Sequence, residues 1–216
     1  MLPRLSFGLL FSTAAAIYGA DPLWTDKPLA RWTATDARLI LAESAWSKAA
    51  PVTLLPALSE AQLREGGRMG GGGKNAGLAA NTLQTRTLAI RWESAAAIRA
   101  AELLAGETGA PDWEGDYYVI ALYDVPGITP TLEKSLRAEL KQSASLKRAG
   151  RRDVSPERVD IAAAGGKSAR ILYFFPRSAG ITPADGRIEF VSRIGRLYVA
   201  QTFDAAEMQL AGKLEL

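Results

Sequence analysis

Apolar and polar positions alternate over residues 86–92. Arg86, Leu88, Ile90 and Trp92 fall on one side, and Thr87, Ala89 and Arg91 fall on the other. A period of two is the pattern of a half-buried strand. Residues 117–125 are instead apolar on both sides, which predicts a covered, central strand.

From Asp36 to about Lys48 the period lengthens to that of a helix. Ala37, Ile40, Leu41 and Ala45 share one face, while Leu39, Ala42 and Trp46 lie on another. A helix that is apolar on two sides packs between two surfaces. Thr35-Asp36 starts it and Pro51 stands beyond its end. Ser94 is placed to cap a second helix over 95–105. The stripe of that helix, Ala97, Ile98, Ala101 and Leu104, lies opposite Arg99 and Glu102. A third helix, charged and amphipathic, is predicted from Thr131 to about Arg148.

The last third of the chain reads as two hairpins. Residues 159–163 and 170–175 flank Gly165-Gly166, a pair that supplies the positive φ of a tight turn. Residues 187–194 and 197–203 flank Gly195. Residues 21–33, with Pro22, Pro28 and two tryptophans, read as an extended lead-in. The sum is an α+β fold: a largely antiparallel sheet with about three helices packed mainly on one face.

Two segments break these patterns. Met1–Ala20 runs from one basic residue, Arg4, through the uncharged LSFGLLFSTAAAI to small residues. That order is a secretory signal peptide. Leu5–Ala20 falls short of the roughly 20 apolar residues that a stable span needs. Cleavage after Ala20 puts Tyr18 where a small residue is usual, and Ala14-Ala15-Ala16 offers a second cut. The expectation is a signal peptide over 1–20 and one globular domain over 21–216. The mature chain would have no stable membrane span and would lie in the periplasm or outside the cell. Residues 64–81, REGGRMGGGGKNAGLAAN, predict a flexible loop, because consecutive glycines lose much entropy on ordering.

Composition narrows the chemistry. There is no cysteine, so disulfides and a cysteine-linked lipid anchor are excluded. Stability then rests on the core, and a domain of this size buries roughly 70% of its unfolded surface. A net charge of +3 is close to balance and, with export, argues against nucleic acid as a partner. There is no histidine. Ser-His-Asp and Cys-His catalysis, the common zinc sites, and haem held by histidine or cysteine are therefore excluded. No metal or cofactor is expected. Gly71, Gly73 and Ala76 match a dinucleotide-binding spacing, but Arg64-Glu65-Gly66-Gly67 precedes them instead of a strand. Gly166-Lys167-Ser168 matches the end of a phosphate loop, yet Ile161 stands where the first glycine is required.

What remains is carboxylates, lysine, tyrosine, serine and arginine. Trp32 and Trp46 are candidates to line a ligand groove, since aromatic faces bind sugars. Core packing is the plainer alternative, and for Trp92 its partners Leu88 and Ile90 favour it. Arg91 and Glu93 flank Trp92 and project from the opposite strand face. With Asp36 and Glu43, Glu93 is an acid to test first, because two carboxylates hydrolyse a glycoside without histidine. Surface charges or a simple ion pair would look the same in the sequence. The candidate binding residues are thus Trp32, Asp36, Trp46, Arg91 and Glu93. Lys141, Lys147, Arg148, Arg151 and Arg152 lie together without an acid. They are either a contact for anionic surfaces or a solvated helix end that complements its dipole.

Several phrases occur together: Lys27-Pro28-Leu29, Trp32 with Asp36, Ser44-Ala45-Trp46, Arg91-Trp92-Glu93-Ser94, Phe175-Pro176-Arg177-Ser178, Gly195-Arg196-Leu197 and Gly212-Lys213-Leu214-Glu215-Leu216. On these, the chain resembles an uncharacterised family of exported bacterial proteins over most of residues 21–216. The resemblance implies export and a single domain, and it supplies no activity and no catalytic residue. The expected function is a non-catalytic exported domain that binds a partner or ligand in the cell envelope. The alternative is a carboxylate-dependent envelope hydrolase acting on glycans.

Overall fold

A computed structural model describes Trp24 and residues 27–55, 86–107, 110–128, 130–163 and 168–216. The candidate signal segment, the Gly-rich segment 64–81 and the Gly165-Gly166 turn lie outside the described residues.

The first helix, α1 (Ala34–Ala42), is set by its start. Thr33 and Asp36 form a reciprocal capping box there. Asp36 also accepts from Lys27 Nζ. That bond, with the N–H and hydroxyl of Thr33, holds its carboxyl pKa at about 2. The helix is shorter than its periodicity predicts. It ends at Ala42, and Glu43 is already extended at φ −156° and ψ 121°. Ser44 supplies the reason. Its Oγ accepts the backbone N–H of Trp46 at 3.2 Å and of Ser47 at 3.1 Å. Such local bonds compete with helical ones. Residues up to Lys48 therefore belong to a turn and then a strand.

Eight strands form the main sheet: β1 (Ser47–Leu54), β2 (Arg86–Trp92), β3 (Tyr117–Pro126), β4 (Ser145–Arg148), β5 (Arg158–Ala163), β6 (Ser168–Pro176), β7 (Arg187–Ile194) and β8 (Leu197–Asp204). Their order is β4-β7-β8-β1-β2-β3-β6-β5. Every neighbouring pair is antiparallel. Pro51 sits in β1 without an N–H to give. It pairs with Thr87 of β2, and pairing to β8 begins only at Val52. A two-stranded piece, β9 (Gln209–Leu210) with β10 (Lys213–Leu214), follows.

Two further helices complete the fold, α2 (Ala96–Ala105) after β2 and α3 (Pro130–Ser143) after β3. α1 packs on α2 and β1. α3 touches β5, the last strand in the order, and β7, the second. One helix can reach both only if the sheet curls, and it does so into a half-barrel. The α+β class expected from the sequence is what the structure has.

Register decides the two faces. Trp92 pairs with Ile120 and Ile120 with Tyr173, while Ile90 pairs with Leu122 and Leu122 with Ile171. All of these enter the main core, with Ile40, Ile98, Phe190 and Phe203. The opposite face of β3 and β6 carries Val119, Ala121, Leu172 and Phe174, covered by Trp113, Tyr117 and Tyr123. This second cover explains why residues 117–125 are apolar on both sides.

Three further sequence expectations need correction. Ser94 does not cap α2. The N-cap is Ala95, without a side-chain bond, and Ser94 Oγ accepts the N–H of Val119 at 2.9 Å. The buried stripe of α2 is Ala97, Ile98, Ala101 and Glu102, whereas Leu103 is 83% exposed and Leu104 is 39% exposed. The third helix stops at Ser143, and 145–148 form the edge strand β4 on β7. Leu146 and Arg148 turn inward there and are buried.

Part of the basic stretch is therefore engaged within the fold. Arg148 and Arg151 both meet Asp185, and Lys147 lies 3.9 Å from Glu189. Among the described residues no helix is long and apolar enough to cross a membrane.

Candidate functional site

Arg91 and Glu93, nominated from the alternation around Trp92, do come together. Arg91 pairs in register with Ala121 and so lies on the outer face of β2. Glu93 follows the end of β2, and its N–H bonds to the carbonyl of Val119 at 2.7 Å. Its side chain is completely buried, at 0% exposure. Glu102 of α2 is 1% exposed beside it. The Tyr123 hydroxyl of β3 lies 3.0 Å from Glu93 Oε2 and 3.3 Å from Glu102 Oε1. One hydroxyl proton is thus divided between two carboxyl groups.

Arginines surround the pair. Arg91 donates in a fork to Glu107, at 2.8 and 3.2 Å, and reaches Glu102 Oε1 at 3.7 Å. Its guanidinium lies 4.5 Å from the centre of the Tyr123 ring. Burial opposes the charge on Arg91. The Glu107 bond and the neighbouring acids outweigh that and hold its pKa above the ordinary guanidinium value. Arg99 lies 3.4 Å from Glu102 Oε2 and donates to the Pro111 carbonyl at 2.5 Å.

As an ionised group Glu93 would leave its buried Oε1 without a partner. A protonated Glu93 would resolve this by donating its O–H to Glu102. Burial first, then the hydrogen bond and charge of Glu102, push Glu93 well above the ordinary carboxylate range. The Tyr123 bond and Arg91 oppose the rise and are outweighed. Tyr123 is pushed up as well, by burial and then by the two acids. A carboxylate beside Glu93 disfavours its ionisation, so Glu93 keeps its proton.

This pair has the makings of an acid–base centre and lacks access. Glu93 is fully enclosed, and neither of the two cavities described below includes either acid. Glycoside hydrolysis places its two carboxyls at least about 5 Å apart with the sugar between them. A hydrogen-bonded pair leaves no room for one.

The other nominated residues lie elsewhere. Trp32 and Trp46 are buried. Trp32 Nε1 donates to the Lys27 carbonyl at 2.9 Å, and Trp46 Nε1 donates to the Glu215 carbonyl at 2.7 Å. Asp36 belongs to the capping box of α1. No hydrogen bond, ion pair or ring contact joins these three to Arg91 and Glu93. They fasten the lead-in and the chain's last residues to the core.

The larger cavity, about 640 Å³, opens where the turn after α1 meets the turn before β9. Trp24, Glu43, Ser44, Lys48, Glu207 and Gln209 are among the residues that line it. Trp24 stands edge-on to Trp46, with ring centres 5.6 Å apart. Glu43, Lys48 and Glu207 have no ion-pair or hydrogen-bond partner for their side chains among the described residues. Ser44 Oγ accepts two backbone N–H groups, which engages its lone pairs and leaves its own proton to donate. The cleft thus offers an aromatic wall, two free acceptors and two donors. Sequence reasoning named Glu43 here but missed Trp24, Lys48 and Glu207, which lie far apart in the chain or in the lead-in. A smaller cavity of about 230 Å³ lies between α3 and the β7–β8 turn and is lined mostly by apolar residues.

Among the described residues no group of three or more cysteines and acids is placed to hold a metal ion. No family model, curated protein or solved structure matches this chain, so the reading of the site rests on its own geometry.

Proposed function

We propose that the chain is an exported, non-catalytic binding domain whose ligand seats in the cleft beside Trp24. Export rests on the charged, apolar, small-residue order of residues 1–20. The observation that carries the binding reading is the cleft itself. It is large enough for a small ligand, and its polar groups are not spent on one another. The chemistry suits a saccharide of the envelope. The Trp24 ring matches the C–H face of a sugar, Glu43 and Glu207 accept from hydroxyls, and Ser44 and Lys48 donate to oxygens. An anion would meet two carboxylates.

One observation favours a second reading. Glu43 and Glu207 line the same cleft, so a carboxylate-dependent hydrolase acting on glycans is the alternative. Purified protein incubated with soluble envelope glycans separates the two by release of new reducing ends. No release above the protein-free blank is expected. Release that Glu43→Gln or Glu207→Gln abolishes would replace the binding reading with the hydrolase.

A further inference from the structure

We infer that Glu93 and Glu102 form a proton-operated latch that fastens α2 to β2 and β3 and loosens as pH rises. The two acids come from different elements: Glu93 sits at the end of β2, and Glu102 is the one charged residue among the buried positions of α2. Both are enclosed, and Tyr123 of β3 bridges them. With one proton present the site is complete. Glu93 donates to Glu102, Tyr123 donates to Glu93, and the remaining negative charge faces Arg91 and Arg99.

Loss of that proton to solvent changes each contact. Glu93 Oε1 becomes a buried acceptor without a donor. Two negative charges then face each other across the joint between helix and strand. The nearest cations are partly engaged elsewhere: Arg91 is forked onto Glu107, and Arg99 donates to the Pro111 carbonyl, while Arg91 Nε is itself buried without a partner. From β6, Arg170 lies 5.6 Å from the Tyr123 ring. The buried positions of α1, which packs against α2, are Ala37, Ile40 and Leu41 and carry no charge.

The direction follows from linkage. The folded state keeps this proton to higher pH than the unfolded chain, whose glutamates titrate near about 4.3. The latch therefore contributes fully below that value. Its contribution is lost as pH rises to the raised folded value. Hydrogen exchange of α2 amides, corrected for intrinsic rates, reads this directly. Protection of α2 is expected to fall by about tenfold per pH unit across that window. Glu93→Gln, whose amide donates to Glu102 at any pH, is expected to remove the dependence. A parallel fall in the native protein and the variant would overturn the latch, as would protection that rises with pH. A carboxyl carbon NMR titration of the native protein is a second readout that needs no variant. Glu93 still protonated well above about 4.3 is expected, and titration in the ordinary range would overturn the inference.

Discussion

Trp92→Ala is expected to lower the unfolding free energy by about 3–5 kcal/mol, the cost of emptying a large aromatic site in a packed core. Trp92 lies on the inner face of β2 with no exposure. Its ring stands edge-on to Phe203 of β8 at 5.5 Å and to Tyr118 of β3 at 6.2 Å. Its backbone N–H also donates to the Trp46 carbonyl at 2.7 Å. The residue thus joins strands on both sides of β2 to the turn between α1 and β1. One feature limits its worth. The indole Nε1 is buried without a partner. Trp92→Phe removes that orphan donor along with part of the ring, so its expected cost is smaller, about 1–2 kcal/mol. Urea unfolding followed by circular dichroism measures both. A loss under about 1 kcal/mol for Trp92→Ala would contradict the core placement.

The second large effect is expected at Asp185, which follows Pro183 in a short turn before β7. It accepts the N–H of Thr182 at 2.8 Å and its hydroxyl at 3.0 Å. It also meets Arg151 at 2.8 Å and Arg148 at 3.6 Å. Arg148 is enclosed and, among the described residues, otherwise donates only to the Ala179 carbonyl, at 3.0 Å. Asp185→Ala strands that charge. Breaking a buried pair from one side costs about 3–5 kcal/mol, and Arg151 can relax into water, so the lower end, about 3 kcal/mol, is expected. The pH dependence is opposite to that of Glu93. Burial pushes the Asp185 carboxyl up, but the Thr182 bonds and the two arginines outweigh it and hold it below the usual range. Its contribution is therefore full above the unfolded value of about 3.9 and is lost as pH falls through the lower folded value. The gap between native protein and Asp185→Ala should close in strong acid. A gap that stays constant down to acid unfolding would contradict the ion-pair account.

The parts of the fold legible in the sequence are those written in short-range periodicity. β2, β3 and the two C-terminal hairpins each carry their pattern within one strand or across one turn. The end of α1 was hidden because Ser44 stops the helix while apolar residues continue at helical spacing through Ala45 and Trp46. β4 was hidden for a related reason. It is four residues long, reads Ser-Leu-Lys-Arg, and finds its partner β7 some forty residues later. Glu102 reads from the sequence as solvated, as a lone acid on a helix does, and is buried instead. Its buried position depends on Tyr123 and Arg91, which arrive from two strands. Arg91 and Glu93 are legible as a pair flanking a core tryptophan, but the burial of Glu93 beside Glu102 and Tyr123 is not. The cleft is a meeting of two turns remote in sequence, and no local spacing announces it.

Saturation-transfer NMR on soluble envelope glycan fragments tests the central claim most directly. The native protein is expected to transfer magnetisation to sugar C–H protons. Ala206→Trp, which puts an indole into the cleft from an exposed lining position, is expected to abolish the transfer while leaving the fold intact. Transfer of equal strength in Ala206→Trp would contradict the cleft as the binding site. Its absence from the native protein across the whole panel would contradict the saccharide.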